Sequence, residues 1–140
     1  RYTQNVPKKS QKSQFKAEVL PFEPARDTNQ LRPKFCLQHL ISEYDIQSNT
    51  DKEQKAAFAE QLQKLSSLTW SQIQQTQKHG FGQETIRVSS LLIQLPEFFA
   101  DSDKVLAFRY QGKLPMIGVR SGETLHLLAI ARNFSQLYKH

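Results

Sequence analysis

The last third of the sequence constrains the fold most strongly, because it contains three strand-like runs separated by short turn sequences. The three runs cover residues 104–110, 113–119 and 124–131. The turn candidates are Gln111-Gly112 and Ser121-Gly122, and glycine at such spacing is typical of tight β-hairpins. We therefore predict a three-stranded antiparallel meander. Pro115 cannot donate a ladder hydrogen bond, so it predicts a bulge or an unpaired position in the middle strand.

Two helices are predicted before this meander. Thr50 and Glu53 have the spacing of a capping box, in which each side chain bonds to the backbone of the other residue. The apolar residues that follow at helical spacing are Phe58, Leu62 and Leu65. A second, shorter helix is predicted to start at Thr69, where Gln72 repeats the cap pattern, and to run to about Lys78.

The remaining segments complete a two-part organisation. Apolar and polar residues alternate over residues 34–46, which predicts a first strand. Residues 83–95 combine such alternation with a continuous apolar run, so their secondary structure stays ambiguous. Residues 1–33 are polar, contain four prolines and show no sustained period. We predict a basic, proline-containing arm over 1–33 and a single α+β domain over 34–140, with two helices packed on a small antiparallel sheet.

The charge distribution favours an anionic partner. The chain carries a formal net charge of +6 and has a pI of about 9.6. Its two ends are basic and its middle is acidic: the net charge is +4 over 1–33, −3 over 34–103 and +5 over 104–140. If the ends meet in the fold, they form the kind of positive surface that binds a phosphate backbone. A surface that merely keeps the protein in solution accounts for the same charge.

Several protein classes are disfavoured by what the sequence lacks. A single cysteine, Cys36, argues against an internal disulfide framework and a cysteine-rich zinc site. The four histidines show none of the familiar metal-ligand spacings, and no nucleotide-binding or serine-hydrolase motif occurs. Neither a signal peptide nor an apolar run of membrane-spanning length is present. We therefore expect a cytoplasmic protein with no metal, no cofactor and no membrane partner.

The meander supplies the first candidate functional residues. With two-residue turns, its register puts Arg109 and Arg120 on one face and His126 on the other, and a bulge at Pro115 would alter that arrangement. Arginine is seldom buried unpaired, so both guanidinium groups should reach solvent, a carboxylate or a phosphate. An ion pair with Glu123 is the alternative for Arg120. For His126 the alternative to proton transfer is a structural core position.

Two further segments concentrate residues suited to RNA. In the C-terminal tail, Phe134 and Leu137 are predicted to anchor the segment on the sheet, so that its last three residues lie at the sheet rim. Tyrosine and histidine there could stack on bases or move protons. Lys78 and His79 precede two glycines that would let a ligand approach the backbone, although a helix C-cap uses glycine in the same way. The predicted catalytic residues are Arg109, Arg120, His126, Tyr138 and His140. The predicted RNA-binding residues are Lys78, His79, Lys113, Arg132 and Lys139.

The order of elements resembles that of RelE/HigB-like ribonuclease toxins of toxin–antitoxin systems. The resemblance covers residues 34–140 and depends on the arginine-bearing final sheet, around Arg109 and Arg120, and on Tyr138 near the C-terminus. It implies a basic intracellular protein that cleaves RNA without a metal and is neutralised by an acidic, antitoxin-like partner. It would place both arginines on phosphate, with Tyr138 or a nearby histidine as the proton-transfer group.

Three functions are therefore open at this point. The first is a metal-independent endoribonuclease, which requires only proton-transfer groups and cations around the scissile phosphate. The second is a noncatalytic nucleic-acid-binding accessory subunit of a bacterial defence or RNA-processing system. The third is a protein-interaction module whose arm orders on a partner. RNA cleavage in EDTA would favour the endoribonuclease. RNA binding without cleavage, with a log affinity that falls linearly with log salt concentration, would favour the noncatalytic subunit. Negligible affinity for nucleic acid at physiological salt would favour the protein-interaction module.

Overall fold

The computed structural model describes residues 27–76 and 83–139 and has an α+β architecture, which confirms the predicted fold class. The five strands are β1 (Lys34–Cys36), β2 (Glu84–Arg87), β3 (Lys104–Gln111), β4 (Leu114–Ser121) and β5 (Thr124–Ile130). The three helices are α1 (Ile46–Asn49), α2 (Lys52–Ser66) and α3 (Trp70–Thr76). Short 3-10 turns lie at Thr28–Gln30, Val88–Ser90 and Glu97–Phe99.

All five strands form one sheet, in the order β1-β5-β4-β3-β2. The antiparallel meander of β3, β4 and β5 is as predicted. Two further strands make the sheet larger than expected: β2 pairs antiparallel with β3, and β1 pairs parallel with β5, so the sheet is mixed. β1 is also shorter than the strand predicted over 34–46, because the chain turns after Cys36 and Glu43 adopts a positive φ of 79°.

The hairpin turns lie one residue further along than predicted. Gln111 pairs with Leu114, and Ser121 pairs with Thr124, so Gly112 and Gly122 occupy the first central position of each turn. Their φ values are +58° and +62°, and a positive φ at that position alone is typical of a type II′ turn, where glycine is favoured. Moving a turn by one residue moves each cross-strand partner by two positions, so by itself the shift leaves every side chain on its predicted face.

Two irregularities interrupt the meander. The register skips between Arg109 and Gln111, so a bulge lies beside Pro115 as expected, but its extra residue, Tyr110, is on β3 rather than on β4. A second skip lies between Ile117 and Gly118. A Cβ added at Gly118 would lie 2.6 Å from the backbone carbonyl oxygen of His126, so only glycine permits this close approach of β4 and β5.

The sheet separates two hydrophobic clusters. On one face, α2 and α3 pack against the meander, with Trp70 and Phe108 fully buried between them. The other face is covered by residues 88–103 and by the C-terminal segment, whose Leu137 is buried among Leu91 and Leu128. Among the described residues, no helix has the length and apolar character needed to cross a bilayer.

The cap of α2 differs from the prediction. Its N-cap is Asp51 rather than Thr50: the Asp51 carboxylate accepts from the Gln54 backbone N–H at 2.8 Å, and the Gln54 side-chain oxygen accepts from the Asp51 N–H at 3.0 Å. Thr50 is engaged elsewhere, because its hydroxyl donates to the Ile46 carbonyl at the end of α1. The cap predicted for α3 is present between Thr69 and Gln72.

Part of the predicted arm packs on the domain. Pro33 is buried, and the Leu31 carbonyl accepts a hydrogen bond of 3.0 Å from the Trp70 backbone N–H. The prediction for residues 1–26 and the predicted end of the second helix near Lys78 lie outside the described residues.

Candidate functional site

Three of the predicted site residues line one surface pocket of about 280 Å³. They are Arg109, Lys113 and Tyr138. The pocket also contains Glu84 and Phe134, which the sequence analysis had not assigned to a site. Phe134 was expected to anchor the tail, but its side chain is 59% exposed, so only Leu137 serves as that anchor. The pocket thus combines two cations, one carboxylate, a phenol and an accessible aromatic ring.

The pocket lies where the end of the meander meets the C-terminal segment. Arg109 points away from the helices, since its neighbours Phe108 and Tyr110 belong to the cluster on the helix side. Lys113 occupies the turn between β3 and β4 and is exposed. The backbone holds Tyr138 in place, because residues on either side of it bond to the 88–92 segment: the Leu92 N–H donates to the Leu137 carbonyl, and the Lys139 N–H donates to the Ser90 carbonyl.

The electrostatics of the pocket favour binding over proton abstraction. Burial, together with the nearby Glu84 carboxylate, raises the pKa of Tyr138 to about 12. The phenol is therefore neutral near pH 7 and can donate a hydrogen bond, but it is a poor general base. Glu84 also opposes the positive potential of Arg109 and Lys113.

Arg120 occupies a different place, on the helix side of the sheet. Its Nε donates to the Gly122 carbonyl at 2.7 Å, and an Nη donates to Thr28 Oγ1 at 3.1 Å and Asn29 Oδ1 at 2.8 Å. The guanidinium carbon lies 4.2 Å from the centre of the Trp70 ring. The register pairs Arg120 with Leu125, not with Glu123 as two-residue turns at the predicted positions required. In this geometry Arg120 fastens residues 28 and 29 to the β4–β5 turn.

The predicted common face of the two arginines is therefore wrong. The register skip beside Pro115 moves the β3–β4 pairing by one residue, so Arg109 faces away from the helices while Arg120 faces them. Arg120 and His126 lie on opposite faces, as expected, since His126 pairs with Val119 and Arg120 with Leu125.

His126 belongs to a separate group with Cys36 and His39. Cys36 pairs with His126 across β1 and β5, and the imidazole centroids of His39 and His126 are 5.7 Å apart. One ligand atom from each of the three residues lies within 4.8 Å of the other two. His126 Nδ1 is buried and has no hydrogen-bond partner among the described residues. Burial lowers the pKa of His126, and His39 lowers it further.

The Cys36–His39–His126 group lies far from the pocket that contains Arg109. His126 is level with Val119 and Val105, which is four residues along β3 from Arg109 and two strands across. At ~3.3 Å per residue and ~4.8 Å per strand, His126 and Arg109 are about 16 Å apart. The remaining predicted residues do not line the pocket or are not described. Arg132 and Lys139 are exposed in the tail, and Lys78, His79 and His140 lie outside the described residues.

The Cys36–His39–His126 group was missed by the sequence analysis, which expected no metal site. One signal was present, because Cys36 and His39 have the Cys-x-x-His spacing of many metal ligand pairs. The third member comes from β5, and only the parallel pairing of β1 and β5 brings it alongside.

A comparison with protein-family models, with curated proteins and with solved structures finds no match for this chain. The resemblance to RelE/HigB-like toxins therefore stays a prediction.

Proposed function

We propose that this protein binds single-stranded RNA through the pocket formed by Arg109, Lys113, Phe134 and Tyr138. The observation that carries the proposal is the exposed Phe134 ring beside two cations. Single-stranded nucleic acids bind where cations track the phosphates and aromatic rings stack on the bases. In this arrangement Arg109 and Lys113 contact phosphate, Phe134 stacks on a base, and the neutral Tyr138 hydroxyl donates a hydrogen bond.

The charge of the whole sequence supports binding to a polyanion such as RNA. Residues 27–76 and 83–139 together contain 12 basic and 11 acidic side chains, so most of the excess positive charge belongs to the rest of the sequence. Residues 1–26 alone contain six basic and two acidic residues. On this proposal the basic N-terminal sequence adds phosphate contacts that do not depend on RNA sequence, and the pocket adds base stacking.

Binding, rather than cleavage, is the function that the geometry favours. A metal-independent ribonuclease needs a proton acceptor and a proton donor at one phosphate. Tyr138 has its pKa raised to about 12, His126 is about 16 Å from Arg109 by strand geometry, and Arg120 is on the other face. Endoribonuclease activity of the toxin type stays a prediction that the same experiment tests.

The experiment is a fluorescence anisotropy titration of a labelled single-stranded oligoribonucleotide with the full chain, in EDTA, over a series of salt concentrations. Lys113→Ala should weaken binding and reduce the slope of log affinity against log salt by about 0.7, the value for one phosphate contact on a single strand. Phe134→Ala should cost about 1–3 kcal/mol of binding free energy and leave the slope unchanged, because stacking releases no counterions.

The chain offers matched controls for both variants. Lys64 is an exposed lysine on α2, and Phe98 is an exposed phenylalanine (72%) outside the pocket. Lys64→Ala and Phe98→Ala should bind RNA like the wild type. Equal effects in the control and pocket variants would contradict the assignment of the pocket. Shortened RNA on a denaturing gel after the titration would instead favour the endoribonuclease.

A further inference from the structure

The residues at the end of β1 and in the middle of β5 form a second concentration of chemistry, remote from the RNA pocket. Cys36 is the last residue of β1, and His39 follows in a turn closed by a hydrogen bond from the Leu40 N–H to the Leu37 carbonyl, 3.3 Å long. His126 is the neighbour of Cys36 on the adjacent strand. The sheet and the turn therefore bring one thiol and two imidazoles together, although Cys36 and His126 are 90 residues apart in sequence.

We propose that Cys36, His39 and His126 form a zinc-binding site. Their ligand atoms lie within 4.8 Å of one another, whereas ligand atoms around a tetrahedral zinc ion are about 3.3–3.6 Å apart. Side-chain rotations that move each atom by about 1 Å close this difference. All three residues are only half-buried, and His39 lies in a turn rather than in a strand or helix.

Two features of the surroundings favour a metal at this place. His126 Nδ1 is shielded from solvent and has no hydrogen-bond partner among the described residues, and a buried polar atom in that position calls for a ligand of its own. Aromatic rings also enclose the group. Phe98 stacks on His39 with ring centroids 4.9 Å apart, and Phe99 lies 5.1 Å from His39 and 5.4 Å from His126. An apolar shell of this kind limits water access to a metal and orients its ligands.

The chemical types of the three proposed ligands determine which metal ion they would bind best. One thiolate and two imidazoles suit zinc, while calcium and magnesium require oxygen ligands. Three ligands from the described residues leave one tetrahedral position for water or another ligand, as in zinc sites that retain an open coordination position.

Cobalt(II) is the probe that tests the site, because it takes tetrahedral zinc positions and is coloured. The full chain is titrated with Co²⁺ and then with Zn²⁺. The chain has one cysteine, so a thiolate-to-cobalt charge-transfer band can come only from Cys36. We expect the band to saturate at one equivalent of Co²⁺ and to disappear when Zn²⁺ displaces it. The absence of a charge-transfer band would overturn the proposal.

Variants identify the two imidazole ligands. His39→Ala and His126→Ala should each weaken Co²⁺ binding more than tenfold, and Cys36→Ser should abolish the band. Gln38 is exposed and lies between two of the proposed ligands, so Gln38→Ala is the matched control and should bind like the wild type. Far-ultraviolet circular dichroism of each metal-free variant separates lost ligation from lost folding. If His126→Ala fails to fold, His39→Ala decides the matter, and unchanged affinity in a folded His39→Ala would refute the three-ligand site.

Discussion

Arg120→Ala separates a structural role from a phosphate-binding role most cleanly. The side chain makes three hydrogen bonds, to Gly122, Thr28 and Asn29, and stacks over Trp70. These contacts tie the segment before β1 to the β4–β5 turn. Their removal should therefore lower the free energy of unfolding and leave the RNA pocket on the opposite face in place.

The magnitude follows from the contacts. The three hydrogen bonds contribute about 0.5–1 kcal/mol each to the free energy of unfolding. This is the low end of the usual range for a hydrogen bond, because the site is part-exposed. The cation–π contact with the Trp70 ring adds about 0.5–1 kcal/mol. Arg120→Ala should therefore reduce the free energy of unfolding by about 2–4 kcal/mol. With a urea m-value of about 2 kcal/mol/M, the midpoint falls by about 1–2 M.

The assay is urea denaturation followed by Trp70 fluorescence, since the only tryptophan of the chain lies under the guanidinium group. Arg120→Lys is the control: it keeps the charge but cannot form the fork of hydrogen bonds, so an intermediate loss is expected. RNA affinity, measured well below the midpoint, should stay close to that of the wild type. A variant that unfolds like the wild type but no longer binds RNA would refute this reasoning and restore the phosphate role.

Three other predictions test different parts of the structure. Gly118→Ala should lower the free energy of unfolding by about 1–3 kcal/mol in urea denaturation, because its Cβ would meet the His126 carbonyl oxygen at 2.6 Å; wild-type stability would contradict that close approach. Burial raises the pKa of Tyr110 to about 12, so its contribution to stability is complete below pH 10 and is lost as the pH rises toward 12. The loss of stability over that interval should be smaller in Tyr110→Phe, and equal losses would refute the assignment to this residue. Glu84→Gln should tighten RNA binding in the anisotropy assay, since it removes the carboxylate from the pocket; weaker binding would show that Glu84 supports the site.

The sequence predicted the features that depend on local chemistry. The meander, its bulge beside Pro115, the cap at Thr69 and the α+β class all follow from turn residues, periodicity and capping patterns. The cap of α2 was misplaced by one residue because Thr50 and Asp51 are both good N-caps. Only the use of Thr50 in closing α1 decides between them.

The candidate site was harder to predict because it depends on register and on distant pairing. The register skip beside Pro115 is enough to put Arg109 and Arg120 on opposite faces, since side chains alternate with a period of two and the shifted turns alone would have kept both arginines on one face. The parallel pairing of β1 with β5 brings Cys36 to His126, and no local pattern reports a pairing across so much sequence. The exposure of Phe134 likewise depends on how the tail crosses the sheet.

The central claim, that RNA binds at the pocket beside the β3–β4 turn, is tested most directly by an NMR titration of the isotope-labelled full chain with a single-stranded oligoribonucleotide. The account predicts that the largest amide shifts fall on Gly112, Lys113, Phe134 and Tyr138, with α2 little affected. Shifts that cluster on α2, or that leave these four amides unmoved at saturating RNA, would contradict it.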